Sequence, residues 1–161
     1  MKKHNQINLL RALSVIGLLI FLPLIRKKPS KHMNEWIIVF FMKSYISSFV
    51  DTIVNKKGYV KYPINLFKIF DISVLFNYLI FPLTCVYFNQ LTRKSSLLGI
   101  ISKTLLFSIP MSLAEDWLQK NTKLISYKKG WNSFISFTSI SITFLLVRGI
   151  MAIIRLANTR T

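Results

Sequence analysis

Apolar residues run through this chain in long blocks, not at the short intervals of a soluble amphipathic helix. No charged residue occurs from position 72 to 92, and none from 130 to 147. Runs of 18 to 21 residues match a helix crossing a hydrocarbon layer of roughly 30 Å. The pattern predicts an all-α fold, a polytopic transmembrane helix bundle of four to five helices, with 1–161 as a single transmembrane domain. The expected spans are 7–25, 36–54, 68–88, 97–118 and 131–154. Only 12–25 of the first is free of charge, and it contains Gly17 and Pro23. That segment either crosses with Arg11 reaching back to the interface, or lies in the interface. Lys2, Lys3 and Arg11 ahead of an apolar stretch resemble a signal peptide, but no small-x-small cleavage site follows, so an uncleaved first helix is expected. Trp36, Tyr59, Tyr62, Tyr87, Trp117, Tyr127 and Trp131 fall near the span ends, the depth that amphipathic rings prefer.

Composition strengthens this picture. Just over half of the 161 residues are apolar and 13 are Phe, more apolar surface than one soluble core of this size hides. The formal charge of +17 would suggest nucleic acid in a soluble chain. Here the bases sit between apolar runs, at Arg26, Lys27, Lys28, Lys56, Lys57, Lys128 and Lys129. The expected partner is therefore a bilayer with anionic headgroups, not nucleic acid. With five spans, 11 Lys and Arg fall on the side of the N-terminus and eight on the other. Adding the embedded Lys43, Lys103 and Arg148 to the second side makes the count 11 on each, so the charge bias gives no orientation.

Ionisable groups inside a span cost roughly 2.5–3.5 kcal/mol on insertion scales, so each needs a reason. Because spans alternate in direction, Asp51, Asp71, Glu115 and Asp116 are expected near one membrane face, and Lys43, Lys103 and Arg148 in the opposite half. One reading is a polar cavity with a carboxylate cluster that holds a cation or relays protons. The other is interfacial pairing of Asp51, Glu115 and Asp116 with neighbouring lysines, Asp116 and Lys120 being spaced i, i+4 and Lys68 and Asp71 i, i+3, with the three bases snorkelling. Ser44, Ser47, Ser48 and Asp51 form a stripe on the second span, and Asn132, Ser136, Ser139 and Thr143 a similar one on the fifth. Such stripes serve as packing seams or as polar paths.

Catalytic and metal motifs are missing from the sequence. There is no Gly-rich phosphate loop and no HExxH, His4 and His32 lack ligand spacing, and the single Cys85 has no thiol partner. No cofactor, no metal and no enzymatic activity are expected.

The stretch 109–155, with SIPMSLAEDWLQKNTKLISYKKGWNSF and then TFLLVRGIM, resembles an uncharacterised family of small multi-span integral membrane proteins of spore-forming Gram-positive bacteria. Its markers are Glu115, then Tyr127, Gly130, Trp131 and Asn132 in the YKKGWN loop, then Arg148; GYVKYP at 58–63 and FDISVLFNYLIFP at 70–82 fit as well. The resemblance implies a bacterial plasma membrane protein with no catalytic residues. Gly130 is expected to permit a positive φ in that loop. The expected function is a structural or accessory component of the envelope, with a membrane-protein partner or a homo-oligomer. The alternative is a small transporter or channel binding a cation or proton at the carboxylates, and a third class is a membrane-embedded lipid-modifying enzyme.

Overall fold

The computed structural model describes residues 3–26, 32–64, 69 and 71–158. Lys27, Lys28 and Lys68, the last expected to pair with Asp71, lie outside them. The fold is all-helical apart from one short strand pair. Helix α1 is Lys3–Arg26 and α2 is Met33–Lys56. The third helix, α3, is a π-helical turn over Phe76–Ile80 running directly into an α-helical part, Phe81–Thr92. Helix α4 is Leu97–Asn121 and α5 is Ser133–Asn158. Strand β1, Val60–Lys61, pairs antiparallel with β2, Ser126–Tyr127, with Val60 opposite Tyr127. Among the described residues three helices, α2, α4 and α5, are long and apolar enough to cross a membrane.

Successive helices run in opposite directions. The β1–β2 pair caps one end, over the end of α2 and the start of α5; Lys128 N–H donates to Tyr59 O at 2.7 Å and extends it. The start of α1 reaches the same end, where Gln6 Oε1 accepts the Lys123 backbone N–H at 2.8 Å. The other end gathers the start of α2, the α3–α4 turn and the end of α5, where Arg93 and Arg155 both meet Glu35. We expect single cysteines at Lys57 and Lys94, in a Cys85→Ala background, to label from opposite sides with a membrane-impermeant thiol reagent. Labelling of both from one side would rule out the two ends as opposite membrane faces.

The distribution of side chains is inverted relative to a soluble protein. Lys43, Ser47, Asn77, Asn89 and Ser108 are buried, while Leu97 and Leu98 are about four-fifths exposed (81% and 78%) and Phe134 faces outward. Apolar packing still fills the centre: Phe88 stacks on Phe144 at 5.3 Å, and Phe107 meets both edge-on. A second apolar cluster, with Leu10 of α1, Val60, Leu118 and Ile125, lies beneath the strand cap. An apolar exterior around a partly polar interior is the arrangement that hydrocarbon favours, because polar groups then satisfy one another inside.

The third span departs from expectation. It was expected over 68–88 with Asp71 in its first turns; the regular structure begins at residue 74 and ends at Thr92. Asp71 is exposed in a bend ahead of the helix, so it gains nothing from a helix dipole. The π turn has a local cause. Pro82 has no N–H, and its ring would crowd the carbonyl of Tyr78 in a regular helix. Widening the preceding turn, with Phe81 N–H donating to Phe76 O, moves that carbonyl aside.

Candidate functional site

Ser47 and Asp51 of the α2 stripe and Ser136, Ser139 and Thr143 of the α5 stripe face a common cavity of about 150 Å³ in the bundle interior, whereas Ser44 and Ser48 line a separate groove beside Phe41 and Tyr45. Helix α2 contributes Lys43, Ser47 and Asp51; the segment after β1 contributes Tyr62; α3 contributes Asn77; α4 contributes Glu115; and α5 contributes Ser136, Ser139 and Thr143.

Asp51 is bonded by neutral donors only. The Tyr62 hydroxyl donates to Oδ1 at 2.7 Å, the Asn77 amide to Oδ2 at 2.5 Å, and the Ser73 backbone N–H donates as well. The expected pairing of Asp51 with lysines does not occur among the described residues. Burial, then the neighbouring Asp51 charge, pushes the Tyr62 phenol well above its ordinary value, which keeps it a hydroxyl donor.

Glu115 is held in the same way. Ser136 Oγ donates to its Oε1 at 3.3 Å and accepts the Trp131 indole N–H at 2.8 Å. Tyr127 of β2 stands 3.1 Å from Ser136 Oγ and bonds Glu115 too; burial, then the Glu115 charge, raises its phenol. Asp51 and Glu115 line the same cavity from α2 and α4.

Lys43 lies two helical turns before Asp51, about 12 Å along the axis, and is 2% exposed. Its Nζ donates to Thr143 Oγ1 at 2.5 Å. Thr143 gives its own hydrogen to Ile140 O at 3.0 Å, which leaves its lone pairs for the ammonium. The amine also sits 5.0 Å and 5.8 Å from the ring centroids of Phe144 and Phe81. Between Lys43 and Asp51, the buried Ser47 Oγ lines the cavity and has no partner among the described residues.

The structure thus joins two of the four expected acids and separates the others. Asp71 stands apart, its backbone carbonyl accepting from Asn55 at 2.9 Å. Asp116 points away from the cavity, paired with Lys120 at 2.7 Å as the i, i+4 spacing predicts and bonded by Ser133. Lys103 reaches the α3–α4 turn, where its Nζ meets Leu91 O and Ser95 Oγ, each at 2.8 Å. Arg148 donates from Nη2 to Thr92 O at 3.2 Å. In the YKKGWN loop, Gly130 has φ +80° and Lys129 φ +51°. Asn132 caps α5, accepting the Ile135 N–H at 3.0 Å.

Tyr62, Asn77 and Glu35 were not foreseen. Tyr62 and Asn77 lie 11 and 26 residues from Asp51, beyond any local pattern. The signal for Glu35 was available in the alternation of span directions, which brings it to the end where Arg93 and Arg155 fall.

Among the described residues, no group of three or more His, Cys, Asp or Glu is arranged to hold a metal ion. Set beside known proteins, the chain matches no protein-family profile, no curated protein and no solved structure.

Proposed function

We propose that this chain is a multi-pass protein of the bacterial plasma membrane, with α1 and α3 crossing beside the three long apolar helices, and that it acts as a small transporter or channel. Its interior cavity takes up a proton or a small monovalent cation between Asp51 and Glu115. The observation that carries this reading is that two carboxyls line one cavity inside the bundle, each hydrogen-bonded by neutral donors. Two negative charges on the wall of one low-dielectric cavity repel, and one proton or one monovalent cation relieves them. The partnerless Ser47 hydroxyl, in the same cavity, supplies a further oxygen. The bacterial location rests on the resemblance of 109–155 to the small multi-span family. No catalytic step is assigned.

A second reading, a structural or accessory component of the envelope, is favoured by one specific feature. Each Asp51 oxygen already has a donor, and those donors come from the cap side of the molecule and from α3. The network then stitches the strand cap to the helices and carries nothing.

Thermal unfolding in a neutral detergent separates the two. The protein would be scanned from pH 5 to 9 in Li⁺, Na⁺ and K⁺, alongside Asp51→Asn and Glu115→Gln. For transport, a cation or proton present at about 100 times its Kd adds roughly 2.7 kcal/mol, and Glu115→Gln abolishes that gain while still folding. If no ion changes the midpoint and Asp51→Asn alone lowers it, the transport reading is lost and the structural one stands.

A further inference from the structure

The end of the bundle away from the strand cap holds an excess of positive charge with unmet hydrogen-bonding capacity. Glu35 is the acidic group there, and it is shared. Arg155 Nε donates to Oε2 at 2.7 Å, Arg93 Nη2 approaches Oε1 at 3.4 Å, and His32 Nδ1 lies 3.0 Å from Oε1. Arg148 is tied to the carbonyl of Thr92, the residue before Arg93, and feels the charge of Arg155. Arg93 and Arg155 thus converge on one carboxylate, with Arg148 beside them on the Thr92 carbonyl; among the described residues this end sets three guanidiniums against one acidic group.

Two guanidinium nitrogens are also stranded. Arg155 Nη2 and Arg148 Nε are sealed from solvent and have no acceptor among the described residues. A buried charged donor without an acceptor is costly, and an arginine fork is shaped to grip a tetrahedral or planar oxyanion with two parallel bonds. Trp36, 6.0 Å beneath the Arg155 guanidinium, marks the depth at which interfacial rings and lipid phosphates meet.

We propose that Arg93, Arg148 and Arg155 form a binding site for one phosphate group, whose anionic oxygens accept from the stranded Arg148 Nε–H and Arg155 Nη2–H. The phosphate belongs either to a phospholipid headgroup or to free inorganic phosphate. The site is independent of the Asp51–Glu115 cavity, which lies toward the opposite end of the bundle.

The test uses the full chain in a neutral detergent. Thermal midpoints would be read against rising phosphatidylglycerol, an uncharged diacyl glycolipid and inorganic phosphate. Native mass spectrometry would count retained lipid. Phosphatidylglycerol is expected to raise the midpoint where the glycolipid does not. Arg148→Gln should raise the half-saturating concentration at least tenfold. Arg148→Lys, which keeps the charge but loses the fork, should fall between. Lys56→Gln, exposed at the far end, should match the wild type. Protection by phosphatidylglycerol alone assigns the phosphate to a lipid headgroup; equal, Arg148-dependent protection by inorganic phosphate assigns it to the free ion. The proposal is overturned if glycolipid protects as well as phosphatidylglycerol, or if Arg148→Gln responds like Lys56→Gln. Arg155 also holds Glu35, so Arg155→Gln is read only if it folds, and the Arg148 series decides without it.

Discussion

Replacing Glu35 with Gln is expected to lower the stability of the folded bundle by about 2–3 kcal/mol. Exposed ion pairs contribute roughly 0–1 kcal/mol, whereas removing one partner of a buried pair costs about 3–5 kcal/mol because a charge is left stranded. Glu35 lies between these limits: its side chain is about one-fifth exposed (21%) and that of Arg155 is 18% exposed. Two effects place it nearer the buried case. The carboxylate serves Arg93, Arg155 and His32 together, so its loss removes the shared counter-charge from all three. It is also the tie among α2, the α3–α4 turn and α5 at that end. Equilibrium unfolding in mixed micelles gives the change directly. A cycle combining Glu35→Gln with Arg155→Gln should show a coupling above about 1 kcal/mol, since the second change removes the charge stranded by the first. A loss below about 0.5 kcal/mol with no coupling would mean that water or headgroups already screen this pair.

The opposite sign is expected at Lys43. Lys43→Met should stabilise the bundle by roughly 1–2 kcal/mol. An ammonium among apolar neighbours costs about 2.5–3.5 kcal/mol on insertion scales. Against that, the bond to Thr143 returns about 1 kcal/mol and the rings of Phe81 and Phe144 about 0.5–1 kcal/mol. Met fills nearly the same volume without a charge, and its flexible thioether adapts to the cavity wall. The same unfolding measurement decides the sign. Destabilisation would show that the ammonium has a stronger partner than Thr143, and an anion entering the cavity would be the first candidate. A more stable variant that has lost ion response would mark Lys43 as a charge kept for function at the expense of stability.

The long elements were legible in the sequence because hydropathy and length are local properties. The spans expected at 36–54, 97–118 and 131–154 became Met33–Lys56, Leu97–Asn121 and Ser133–Asn158, each within a few residues at either end. Gly130 and the Asp116–Lys120 pair were legible for the same reason: a turn and an i, i+4 contact are written in neighbouring residues. Asp71 was misplaced because the run around it is apolar, and hydropathy does not mark where helical hydrogen bonding begins. The gathering of four acids failed in the same way. Nearness to one end of the bundle follows from span direction, but which side chains turn inward depends on helix rotation, and that is set by packing. Asp51 and Glu115 turned toward the cavity; Asp116, one residue on from Glu115, turned about 100° away.

The widened turn in α3 makes that rotation a matter of reading frame. A π turn carries one residue more than the α-helix would need over the same height. The segment leading into it, with Ser73, and Asn77 at its start are therefore out of phase with the helix that follows. Excising a single residue from Phe76–Ile80 would force α-helical spacing up to Pro82, with a proline kink there, in a helix of nearly the same length and hydropathy. It would also swing the leading segment by about 100° and 1.5 Å, turning the Asn77 amide away from Asp51. A one-codon deletion here would leave a plausible membrane helix and still dismantle the carboxyl pair's surroundings. The frame of this helix, as much as the identity of its residues, is what keeps the interior assembled.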